Sequence, residues 1–249
     1  MSGHSKWHNI RLRKGAQDAK RGSLFTRLAK EILMAAKGGG GNPDSNLRLR
    51  LAIQKAREAS MPNDNIQRSI QRGTGELAGA TYDEVLYEGY GPGGVALLVE
   101  TATDNKNRTV SNIRSFFTKH GGRLAESGSV SYRFRPIGRV VVAKSATDEE
   151  TLFTVAIEAG AEDVRTEDPE VYEIIALPED FQAVRQAIEA AGVAIASAEF
   201  TMEPLDTVQL DEKDATLLLR LLDKLEDDED VQKVHGNFEI ADEILEAVG

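Results

Sequence analysis

The sequence contains no cysteine, which excludes disulfide frameworks, thiolate metal sites, iron–sulfur clusters and thiol nucleophiles together. No apolar run comes near the roughly 18 residues that a membrane-spanning helix requires. Met1 to Lys6 offer no apolar core of a signal peptide, so a cytoplasmic protein with no membrane partner is expected. Histidine is confined to His4, His8, His120 and His235. His4 and His8 have helical spacing for a shared metal, but no nearby carboxylate completes a ligand set. There is no GxxxxGK[ST] phosphate loop, no HExxH zinc motif and no nucleophile elbow. Neither catalysis nor a cofactor is expected.

What is present is charge, divided unevenly. The whole chain of 249 residues carries a formal −11. Through Ala80, however, 15 Lys and Arg stand against 6 Asp and Glu, and beyond Arg135 there are 8 against 29. A surface attracts ligands through its local potential, so the basic part calls for a polyanion that the acidic part repels.

The texture of the chain suggests three units. Up to about residue 80, apolar residues recur at helical spacing in three runs: Phe25, Ala29, Ile32 and Ala36; Leu49, Ala52, Ile53 and Ala56; Ile66 and Ile70. Ser23 is the expected N-cap of the first run, Gly38 to Gly41 its stop, Asn42 to Ser45 the capping turn of the second, and Gly73 the end of the third. Strand-like segments at 82–90 and 95–101 flank Gly91-Pro92-Gly93-Gly94, a helix is expected over 105–120, and 129–134 alternates like a further strand. Between Pro136 and Glu203 the order is β-α-β-β-α-β, that of a ferredoxin-like split βαβ unit. The tail holds a leucine-faced helix that cannot bury its own face, which places it on the incomplete middle segment. The expected fold is therefore α+β: a basic helical domain with an N-terminal arm at 1–80, a discontinuous α/β domain at 81–135 plus 204–249, and an inserted ferredoxin-like α/β domain at 136–203.

The arm concentrates Lys6, Arg11, Arg13, Lys14, Lys20 and Arg21 beside Trp7 and His8. Cations neutralise phosphates and release counterions, while Trp and His stack on exposed bases. Arg27, Lys30, Arg68 and Arg72 extend the candidate surface along the helices, and Gln67 and Gln71 beside the last two come nearest to a base-reading pattern. A solvated helix face is the bland alternative, and the 15 to 6 imbalance argues against it. Nucleic acid is favoured over membrane because no Trp/Leu-rich face accompanies the charge. At Asp104-Asn105-Lys106-Asn107-Arg108-Thr109 a strand gives way to a helix, so Lys106 and Arg108 could meet a phosphate there, or the segment could simply cap the helix. The glycine loop at 89–94 reads as a hairpin turn or a protruding contact element. Glu226 to Asp230 reads as a solvated acidic turn.

Four stretches, GHSKWHNIRLRKGAQDAKRG at 3–22, MPNDNIQRSIQRGTGE at 61–76, YEGYGPGGVALLVETATDNKNRT at 87–109 and GGRLAESGSVSYRF at 121–134, resemble the YebC/PmpR family in order and nearly in full. The resemblance implies three domains, a cytoplasmic location and no catalytic activity. It further implies either promoter-DNA binding in transcription or a ribosome-associated role, through ribosomal RNA, in translating proline-rich stretches. Carried over by motif, Lys6, Trp7 and Arg11 fall in a nucleic-acid-facing arm, and the Tyr90–Gly94 loop and the Asp104–Arg108 turn become contact elements. Ala125 departs from the family's usual glycine. A small-molecule sensor built on the ferredoxin-like unit is the remaining alternative.

Overall fold

A computed structural model describes residues 21–241, 243 and 244. The candidate contacts Lys6, Trp7, Arg11, Arg13, Lys14 and Lys20 lie outside the described residues. The chain is α+β, with three helices followed by two sheet-bearing units.

The first unit comprises α1 (Arg21–Gly39), α2 (Leu47–Glu58) and α3 (Asn63–Thr74). Ile32, Ala36, Leu49, Ala52, Ile53, Ala56 and Ile66 form their common core. The chain is already helical at Arg21, so Ser23 lies inside α1 and is not its cap. The cap of α2 is Asn46, one residue beyond the expected turn, whose side chain accepts from the Leu49 N–H at 3.1 Å. Its amide also donates to the carbonyls of Ala35 and Gly40, tying the start of α2 to the end of α1. Gly73 does not end α3; that falls to Gly75, at φ 82°. Gly73 has a packing role instead. A Cβ there would stand 2.4 Å from the Leu33 carbonyl oxygen, so α1 and α3 cross where only hydrogen fits.

The second unit is a sheet of order β3-β1-β2-β9, built from β1 (Asp83–Tyr90), β2 (Ala96–Thr103), β3 (Arg123–Leu124) and β9 (Val231–Gly236). Thus a strand from the acidic tail is hydrogen-bonded beside β2. Two helices, α4 (Lys106–Lys119) and α7 (Glu212–Asp227), cover one face. Leu218, Leu219, Leu221, Leu222 and Leu225 of α7 pack on Leu97, Val99, Ile113, Phe117 and Phe238, while Leu217 stays half-buried. A short parallel pair, β8 (Val208–Gln209) with β10 (Phe238–Glu239), closes the tail. The expected strand at 129–134 is not a strand: Ser131–Arg133 is a single 3-10 turn. The cause is Glu88, which is buried and accepts the N–H groups of Gly128, Val130 and Ser131 at 2.7, 2.7 and 2.9 Å. Burial alone would raise its pKa, and these three bonds together hold it below the usual carboxylate range.

The third unit is the sheet β5-β6-β4-β7, formed by β4 (Phe134–Ala143), β5 (Asp163–Arg165), β6 (Val171–Ala176) and β7 (Ile195–Pro204). All its pairings are antiparallel. With α5 (Glu149–Glu158) and α6 (Phe181–Ala190) this is the ferredoxin-like arrangement, inserted into the discontinuous second unit. Gly138 lets the Phe181 ring lie on β4, where a Cβ would come within 2.2 Å of it. Leu51 of α2 joins this unit's core, and Lys55 of α2 pairs with Glu199 at 2.8 Å, so the helical unit leans on both sheets.

The acidic turn after α7 is not simply solvated. Asp230 is buried, and its carboxylate receives Lys30 of α1 at 2.8 Å, Arg108 at 2.8 Å and the Thr109 hydroxyl at 2.8 Å. Lys30 also donates to the Glu229 carbonyl and sits 5.1 Å above the Tyr82 ring; Arg27 donates to the Glu226 carbonyl at 2.9 Å. One carboxylate therefore pins the helical unit to the second sheet. Burial acts to raise the Asp230 pKa, but hydrogen bonds from Arg108, Lys30 and Thr109 outweigh it and bring the group down to about 2.

Two outcomes follow from this packing. Gly73→Ala gains helix propensity yet forces α1 and α3 apart, so urea denaturation should show a net loss of about 1–2 kcal/mol. Asp230→Asn strands Lys30 in a buried site and should cost about 3 kcal/mol by the same measurement, part of which Lys30→Met in the same chain restores. Because the Asp230 pKa is depressed on folding, its contribution of roughly 2 kcal/mol is full above the ordinary aspartate value. It declines as pH falls from about 4 towards 2, and a stability profile of the Asn variant should lack that decline.

Candidate nucleic-acid interface

The amphipathic pattern of α3 places Ile66 and Ser69 inward, with Ile70 half-buried. Gln67, Arg68, Gln71 and Arg72 consequently share the outward face, each pair one turn apart, and all four are exposed. Ser69 does not compete for that face, since its hydroxyl returns to the Asn65 carbonyl at 2.8 Å. Among the described residues the side chains of Arg68 and Arg72 have no ion-pair or hydrogen-bond partner, and the same is true of exposed Arg57 on α2. Two guanidinium groups flanked by two carboxamides can meet phosphate oxygens and base edges together.

Other cations of the helical unit are already engaged. Lys37 donates to the Tyr82 carbonyl, Arg50 to the Pro43 and Asp44 carbonyls, and Arg48 pairs with Glu31 and Glu84. Arg27 and Lys30, expected to face a polyanion, are turned instead onto the 226–230 segment as described above. The expectation for these two is corrected: each lies half-buried or buried against the α7 end, where carbonyls and a carboxylate occupy the positions a phosphate would take. Arg21 belongs to the first turn of α1.

The Asp104–Arg108 turn resolves largely as a cap. Asn105 is the N-cap of α4 and accepts from the Arg108 N–H at 3.1 Å; Thr103 accepts from the Asn105 N–H at 2.9 Å. Arg108 is divided between Asp104 at 2.7 Å and Asp230, while Lys106, more exposed, meets Asp83 at 3.0 Å. Neither is an uncommitted phosphate ligand. Nor does the 91–94 loop protrude: Gly91 and Pro92 are buried, and Gly91 approaches Leu218 of α7. Gly93 and Gly94 adopt φ 68° and 78° and remain exposed as the tip of a hairpin. Sequence reasoning missed Asp230, which sits in a run of five acids that no periodicity separates.

No group of three or more His, Asp or Glu side chains suited to a metal occurs among the described residues, and no helix among them is long and apolar enough to cross a membrane.

The chain is similar to known proteins along its length. Residues 5–76 match the family model described as the TACO1/YebC protein N-terminal domain, and residues 82–238 match that of the TACO1/YebC second and third domain. A probable transcriptional regulatory protein of Persephonella marina is 55% identical over 249 residues, covering all of both chains. Another so named, from Dictyoglomus turgidum, is 54% identical with the same coverage. The crystal structure of a conserved hypothetical protein from Aquifex aeolicus superposes with a TM-score of 0.83 at 48% identity, covering 93% of this chain and 99% of that one. With family models covering most of its length and relatives above half identity, the chain belongs to the TACO1/YebC family.

Proposed function

We propose that this protein is a non-enzymatic regulator of gene expression that binds nucleic acid through the outward face of α3 and the basic arm at 1–20, with promoter DNA as its target. The observation that carries the reading is the pair Arg68 and Arg72, exposed beside Gln67 and Gln71 and without a side-chain partner among the described residues, in a unit whose other described cations are mostly engaged. The names of the relatives support regulation of transcription. Lys6, Trp7, Arg11, Arg13, Lys14 and Lys20 precede α1 in the sequence and Arg21 opens it, which supports taking 1–80 as one basic domain. The sharing of one sheet by 83–103 and 231–236 supports the division into 81–135 plus 204–249 around an insert at 136–203. Cytoplasmic location accords with this role. Ribosomal RNA is the second reading, favoured by the same exposed guanidinium groups, which hold the phosphates of either polymer.

Binding to duplex DNA should weaken steeply with salt. With about five phosphates neutralised, the log–log slope should approach −4.5, and Arg68→Gln with Arg72→Gln should flatten it by about 1.8. An unchanged slope in that double variant would remove α3 from the contact surface. In cells, crosslinking with sequencing of both DNA and RNA should give promoter peaks; ribosomal RNA enrichment without such peaks would replace the DNA reading with the RNA one.

A further inference from the structure

Helix α5 covers the third sheet with Leu152 and Ala156, both buried, and leaves Phe153 and Ile157 in solvent. These two stand one turn apart on the same side of the helix, so they form a single apolar stripe, 50% and 39% exposed. No other large apolar side chain between 136 and 203 is as exposed. Carboxylates frame the stripe. Glu149 and Glu150 lie one turn before Phe153, and Glu158 follows Ile157; all three are exposed, and none has an ion pair among the described residues. At the far end Gly160, at φ 100°, brings the close of α5 against Asp180, where a Cβ on the glycine would stand 3.6 Å from the Asp180 Cβ. Exposed Glu179 precedes that aspartate.

Cations do not offset this charge. Segment 136–203 holds 4 Lys and Arg against 15 Asp and Glu, and each of the four is engaged. Arg139 meets Glu173 and Glu199, and Arg165 meets Asp163 and Glu203. Lys144 donates to the Thr166 carbonyl at 2.7 Å and lies 5.1 Å from the Tyr172 ring centre. Arg185 of α6 is buried and pairs with Glu189 and Gln54. The outer side of α5 is therefore apolar at its centre and negative around it.

We propose that the Phe153–Ile157 stripe is a docking surface for a basic amphipathic helix of a partner protein. Apolar residues of that helix cover Phe153 and Ile157, while its Lys and Arg meet Glu149, Glu150, Glu158 and the 179–180 turn. An apolar centre inside a charged rim is the usual anatomy of a protein–protein contact, and an aromatic ring at the centre supplies its anchor. The sign of the rim selects the occupant: phosphodiesters and anionic lipid headgroups are repelled, and cationic side chains are drawn in. The surface is separate from the α3 face and does not depend on the nucleic-acid reading.

The test is fluorescence anisotropy of the full chain with labelled helical peptides of about 18 residues. One carries Leu on one face and Lys on the other, the second replaces Lys with Glu, and the third replaces Leu with Ser. The Leu/Lys peptide should bind at least about tenfold more tightly than either control. Phe153→Ser with Ile157→Ser, which leaves the buried Leu152 and Ala156 in place, should weaken it about tenfold without lowering the thermal midpoint. Glu149→Gln with Glu150→Gln should weaken it about threefold in low salt and leave it unchanged in high salt. Equal binding of the Ser/Lys peptide would reduce the surface to charge alone, and affinity that survives both double variants would place the peptide elsewhere. Sedimentation showing a dimer of the wild-type chain that the serine variant dissolves would make a second copy the occupant. Each of these results, or no binding of the Leu/Lys peptide, overturns the proposal.

Discussion

The carboxylate of Asp230 organises the molecule, because it is where the acidic tail, the basic helical unit and the second sheet meet. Lys30 is buried, and its ammonium group tolerates that site only because the carboxylate and the Glu229 carbonyl replace its water shell. Arg108 and Thr109 complete the set from the start of α4. The chain that follows Asp230 runs directly into β9, which closes the sheet beside β2. Opposite charge in the two halves of the chain therefore acts as a fastening.

That fastening selects which cations remain for a partner. Arg27 and Lys30 are drawn inward to the end of α7 and the turn behind it, and exposed Arg108 is paired with Asp104 and Asp230 there. Arg68 and Arg72, on the far side of the α1–α3 crossing at Gly73, are left facing outward. The net effect is a polarised molecule in which the tail occupies part of the basic surface and leaves α3 open. Such segregation raises the local concentration of a polyanion at one face even though the whole chain is negative.

Much of the fold was legible because it rests on local signals. The helical runs around Ile32, Leu49 and Ile66, the β-α-β-β-α-β order after Pro136 and the stranded leucine face of the tail each followed from periodicity and from the need to bury apolar surface. The errors share a physical cause: a distant group overrode a local preference. Glu88 took the backbone N–H groups of 128–131 that a strand would have used, Leu33 made Gly73 a crossing point, and Asn46 bonded back to α1. The candidate site was legible in part for the same reason. Composition identified the basic region, and helical spacing grouped Gln67, Arg68, Gln71 and Arg72. Which cations would be consumed internally depended on Asp230, some 200 residues away from Lys30 along the chain.

The central claim is that α3, and not the start of α4, is the open cationic face of the described molecule. Ultraviolet crosslinking of the full chain to a short duplex or a ribosomal RNA fragment, followed by mapping of the crosslinked peptides, tests it most directly. The account predicts adducts on the peptides spanning 1–20 and 63–76. Adducts confined to 104–112 or to the sheet-bearing units would contradict it.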